Sequence, residues 1–202
     1  MEGTSRRRIG RQLRAFWQES GRLLVFLLLF LTGVGIGCPA FSYGSDALQS
    51  TPSLWLLYPS SGSVTADVLT VFAHACIIPG LLLLLLMAAG LSAIGALAVF
   101  AVPFLYGVSV GFCEAYVYTA DGLWQTAWML LPPTLVALWT LLMAACESLR
   151  MTLRIVGQIA PRGCAGGLWT DCKRYFMRYF IFAGLTLLQA AMQTLLVCIA
   201  RP

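Results

Sequence analysis

From residue 23 to residue 149 the chain contains no lysine and no arginine. Apolar runs inside that stretch are far longer than the ~18 to 20 residues needed to cross a bilayer. A soluble domain usually carries about 25% charged residues, whereas here Asp, Glu, Lys and Arg make up 10% of 202 residues and hydrophobic side chains 59%. So few charges cannot solvate a globule of this size. The expected fold is all-α, a polytopic helical bundle of about five transmembrane helices in a single membrane domain over 1–202, with no separate soluble catalytic domain.

The basic residues set the expected topology. Six arginines (Arg6, Arg7, Arg8, Arg11, Arg14 and Arg22) stand before the first apolar run. A basic cytoplasmic head over 1–22 therefore precedes a first span at about 23–40. Residues 41–70 hold turn formers (Pro52, Pro59, Gly62), two acids (Asp46, Asp67) and no basic residue, which reads as an outside loop. Within it, Leu54 to Tyr58 is too short to span, and Trp55 and Tyr58 suit a surface helix at headgroup level. The apolar stretch that follows is long enough for two spans, at about 71–90 and 93–117, joined by a turn in "AAGLSAIG", residues 88–95.

A fourth span at about 123–147 descends to a basic segment, 151–178, flanked by Arg150 and containing Arg154, Arg162, Lys173, Arg174 and Arg178. A fifth rises at about 179–199. With the N-terminus cytoplasmic and the C-terminus outside, twelve of the thirteen basic residues lie inside and Arg201 alone lies outside. "SRRRIG" and "GIGC" resemble export signals only weakly, and an uncleaved first span is the better reading.

Ionisable groups at membrane depth are candidates for function because charge is costly in hydrocarbon. They are few here: His74, Glu114 and Glu147. His74, Cys76, Cys113 and Glu114 fall at one outer depth, where mixed nitrogen, sulfur and oxygen ligands can form a metal site; the plainer reading is polarity at the wet interface with small apolar cysteines. The seven cysteines form no CxxC pair, so neither a metal site nor a cofactor is expected. "GLSAIG" lacks the GxSxG spacing of a nucleophile elbow. The only histidine, His74, lies at the far end of the second span from that serine, so no catalytic residues are assigned and the chain is expected not to be an enzyme. Glu147 precedes Arg150 by about one turn and should pair with it at the inner surface.

The spans do carry small and polar residues at helical spacing. Gly33 and Gly37 in the first span, and Gly107 and Gly111 in the third, form two GxxxG pairs that allow backbones to approach closely. Thr186, Gln189 and Gln193 form a polar stripe in the fifth span that can hydrogen-bond across helices. Packing within the bundle and docking of a partner's transmembrane helix both account for these faces. Pro132 and Pro133 lie about one-third down the fourth span, where a kink buried against neighbouring helices is expected.

Taken in order, "FLTGVGIG" (30–37), "GLSAIG" (90–95), "FLYGVSVGF" (104–112), "LLPPTLVALWTLLM" (130–143) and "RYFMRYFIF" (174–182) resemble the successive landmarks of the stage II sporulation protein M family. The resemblance covers most of the chain. The family pattern has a proline followed by polar amides in its fourth span, and this chain departs from it with Pro132, Pro133 and Thr134. The resemblance implies a non-enzymatic bacterial cell-membrane subunit. Such a subunit anchors and organises a peptidoglycan-degrading complex with stage II sporulation proteins D and P during engulfment of the forespore. The expected partners are thus other membrane proteins and the lipid bilayer, with no nucleic acid. The alternative is a transporter or permease subunit working with a separate cytoplasmic ATPase, because proline-broken helices can line a path.

Overall fold

The computed structural model describes residues 21–40, 64–121, 123–159 and 168–200. The arginines before Gly21, the surface helix read at Trp55 and Tyr58, and the "PRGCAGG" breaker cluster lie outside the described residues. Among the described residues five helices follow one another: α1 (Gly21–Ala40), α2 (Val64–Gly90), α3 (Ala96–Asp121), α4 (Leu123–Ile159) and α5 (Leu168–Ala200). Each contains a stretch long and apolar enough to cross a membrane. Among the described residues there is no strand.

α2 and α3 form a hairpin through the turn at 91–95. Leu91 and Ser92 donate backbone N–H groups to the carbonyls of Ala88 (3.2 Å) and Ala89 (3.1 Å), and Gly95 donates to Ser92 (3.3 Å) before Val99 starts the next ladder on Gly95. Gly95 is the residue this turn cannot replace, since a Cβ there would overlap the Ala89 carbonyl.

Three helices outrun the limits read from hydropathy by about two turns or more, and α3 by about one, to Asp121. α2 starts at Val64, inside the stretch assigned to the outside loop 41–70. α4 continues twelve residues past 147 to Ile159, and α5 starts at Leu168 rather than near 179. The basic segment 151–178 is thus helical on both sides of residues 160–167. Apolarity reports where hydrocarbon ends, whereas a helix goes on for as long as its backbone bonds and side-chain partners hold it.

α4 is central: it packs on α2, α3 and α5, and α2 packs in turn on α3 and α5. Half of the α4 span is buried, against 22% of the α1 span. Small residues permit this closeness, with Ala137, Ala144 and Ala145 fully or almost fully buried on α4. Phe26, Leu86, Val99, Val102 and Leu141 fill the space around them. Large apolar side chains such as Leu24, Leu28, Leu81, Leu135 and Leu188 point outward, the arrangement lipid tolerates. The helix is continuous across Pro132 and Pro133, and Pro133 and the α3 proline Pro103 are fully buried. Pro132, next to Pro133, is half-buried.

Candidate functional site

Three polar or close-packed regions stand out from the apolar bundle. The first is the seam between α1 and α3. A Cβ at Gly33 would overlap the carbonyl oxygen of Phe104 and lie 3.0 Å from the amide nitrogen of Val108; at Gly37 it would overlap the Val108 carbonyl. From the other side, a Cβ at Gly107 would overlap the Phe30 carbonyl and lie 3.2 Å from the Cα of Gly33, and one at Gly111 would lie 2.5 Å from the Val34 carbonyl. All four GxxxG glycines meet in this one seam, where backbone touches backbone. Cys38 extends it by donating its thiol to the Gly111 carbonyl (3.3 Å), and the rings of Phe26 and Phe100 (5.3 Å) and of Phe30 and Tyr106 (5.9 Å) flank it. Gly35, between the two glycines of the pair, has nothing within 4 Å.

The second region joins the C-terminal end of α2 to α4 and α5. The last four carbonyls of a helix have no intrahelical donor, and in a membrane no water replaces it. The turn supplies backbone donors to Ala88 and Ala89, and side-chain hydroxyls from two other helices add donors at Leu86, Met87 and Ala89. Tyr175 on α5 donates to the Met87 carbonyl (2.9 Å), and Thr152 on α4 donates to the Ala89 carbonyl (3.3 Å). Ser148 on α4 lies within hydrogen-bond distance of the carbonyls of Leu86 (2.8 Å) and Ala144 (2.9 Å) and of the Tyr179 hydroxyl. Tyr179 also reaches the Ala144 carbonyl (3.2 Å).

The approach is close enough that a Cβ at Gly90 would overlap the Tyr175 hydroxyl and lie 3.0 Å from the Cα of Ser148. Ser148 is 0% exposed and Tyr175 and Tyr179 are nearly so. The cluster is therefore a helix cap and a three-helix tie. Sequence reasoning missed it, although one signal was present: hydroxyls recur at i and i+4 on both helices, Ser148 with Thr152 and Tyr175 with Tyr179.

The third region is a charged cleft at the same end. Glu147 accepts from Arg150 (2.8 Å), one turn along α4, and from Arg178 on α5. Arg154 pairs with Asp171 (2.6 Å), again from α4 to α5. With Arg174, Met151 and Tyr175, these five residues line an open cleft of ≈ 390 Å³.

The polar stripe of α5 takes a different form from the one its spacing implied. Thr186 donates to the Phe182 carbonyl one turn back (3.0 Å), and the Gln189 amide donates to the Gln193 side-chain oxygen (3.3 Å). These bonds are local to α5, because a hydroxyl or amide at i can satisfy itself at i−4 or i+4 before it reaches a neighbouring helix. Gln189 is buried, and its Oε1 has no hydrogen-bond partner among the described residues. No group of three or more His, Cys, Asp or Glu side chains placed to hold a metal ion occurs among the described residues.

The family model described as stage II sporulation protein M matches residues 23–193. No curated protein and no solved structure matches the chain.

Proposed function

Since this chain belongs to the stage II sporulation protein M family, we propose that it is a non-enzymatic membrane scaffold. In this reading it anchors and organises a peptidoglycan-remodelling complex during sporulation engulfment, with stage II sporulation proteins D and P as partners. The N-terminus and the charged cleft face the cytoplasm, and the C-terminus and the loop between α1 and α2 face the wall. The family match over most of the chain carries the reading. It is supported by how the chain uses its polar groups: the hydroxyls of Ser148, Thr152, Tyr175 and Tyr179 hold helices together.

Because the α1–α3 glycine faces are already occupied by each other, docking falls to the outward apolar surfaces and to the segments between spans. Extraction of the tagged chain in mild detergent should co-purify a peptidoglycan hydrolase. Recovery of the chain alone, together with normal wall remodelling in a deletion strain, would overturn the proposal.

A further inference from the structure

We infer that the cleft between α4 and α5 binds a phosphate-bearing anion, either the phosphate of an anionic lipid headgroup or a free phosphate. Four guanidinium groups (Arg150, Arg154, Arg174, Arg178) line it against two carboxylates (Glu147, Asp171), an excess of two positive charges. Both carboxylates are engaged: Glu147 serves Arg150 and Arg178, and Asp171 serves Arg154. Arg174 has no carboxylate partner among the described residues. The two α4-to-α5 ion pairs hold like charges close together and orient the planar forks that match phosphate oxygens in bidentate fashion. The cleft is open to a ligand, since the side chains of Arg154 and Arg178 remain 57% and 48% exposed.

The depth fits a headgroup. The lysine- and arginine-free run of α4 ends at Leu149, so Arg150 and Arg154 stand just past it and Arg174 and Arg178 just before the apolar run of α5. The charges thus emerge at the level of one leaflet's phosphates. Trp169, 84% exposed in the first turn of α5, lies at the same end, as interfacial tryptophans do. A site for an anion also explains why four arginines are gathered over two carboxylates when a simple α4–α5 clasp needs only one cation for each acid.

The test uses the full-length chain purified in detergent, with retention of phosphatidylglycerol or phosphatidylcholine read by native mass spectrometry and inorganic phosphate added in a parallel thermal-shift arm. Phosphatidylglycerol should be retained in preference to phosphatidylcholine, and Arg174→Gln should weaken retention about fivefold, the effect of about one surface cation. Lys173→Gln removes the same charge one residue away from the cleft lining and should leave retention unchanged.

If inorganic phosphate displaces the lipid, or stabilises the wild type and not Arg174→Gln, the site takes phosphate from either source. If phosphate does neither while lipid preference persists, the ligand is the lipid headgroup. Should Arg174→Gln fail to fold, Arg154→Gln takes its place against the same control. No preference between the two lipids together with no phosphate effect, or equal weakening by the Lys173 and Arg174 variants, overturns the inference.

Discussion

The seam between α1 and α3 and the tie among α2, α4 and α5 hold helices together by opposite means. In the seam, side chains are absent. Gly33, Gly37, Gly107 and Gly111 let two backbones touch, and the attraction is dispersion summed over a close, shape-matched surface. In the tie, side chains reach across: Ser148, Thr152 and Tyr175 bring hydroxyls to carbonyls at the end of α2, and Tyr179 brings one to the Ala144 carbonyl of α4. The seam tolerates no added atom, whereas the tie tolerates no missing one. A membrane bundle needs both, because lipid tails give helices no hydrophobic reason to associate.

The largest expected effect breaks the seam. Gly33→Leu forces a side chain into the Phe104 carbonyl and should cost about 3 kcal/mol or more, beyond ordinary core overpacking because the obstacle is backbone. Reversible unfolding in mixed micelles gives the cost, and spin labels at the exposed Thr32 and the half-buried Ser109 report whether α1 leaves α3. Gly35→Leu, with open space around it, should change neither reading. Equal losses from the two variants would mean that the close approach does not hold α1 in place.

Next comes the tie. Ser148→Ala and Tyr179→Phe should each cost about 1–2 kcal/mol, since each leaves a buried polar partner unsatisfied. The double variant should cost clearly less than the sum, because the two hydroxyls share one bond and one acceptor at Ala144. Strict additivity would show that the two do not act as a unit.

A smaller change should go the other way. Gln189→Leu removes a buried oxygen that has no partner among the described residues, and should stabilise the isolated chain by about 1 kcal/mol. A loss of stability instead would show that this oxygen is bonded in the intact protein. The smallest effect belongs to the ion pairs. Glu147→Gln should cost no more than about 1 kcal/mol, because the partner arginines are partly exposed. That cost should shrink further as salt is raised.

How much of this was legible in the sequence differs between the two regions. The glycine pairs were visible as spacing, since Gly33 with Gly37 and Gly107 with Gly111 each place two bare positions on one helix face. Their meeting in a single seam was not visible, because spacing says nothing of which helix a face will meet. The pair of Glu147 with Arg150 was legible for the same local reason, a separation of about one turn. Arg178 sharing Glu147, and Asp171 joining Arg154, required α4 and α5 to lie side by side. The tyrosines passed unnoticed because aromatic residues in an apolar run look like core or lipid anchors until a carbonyl is found opposite the hydroxyl.

By itself, the sequence determined the class of molecule: a lysine- and arginine-free stretch over 23–149 and its apolar runs permit helices in a bilayer and little else. It also carried the family resemblance through an order of landmarks that needs no contact to be read. Only the tertiary structure decided which polar groups meet, which glycines touch, and where the helices end. The physical reason is range. Hydropathy and helical periodicity are properties of neighbours along the chain. A carbonyl at the end of α2 finds a tyrosine some 88 positions away only once the bundle has formed.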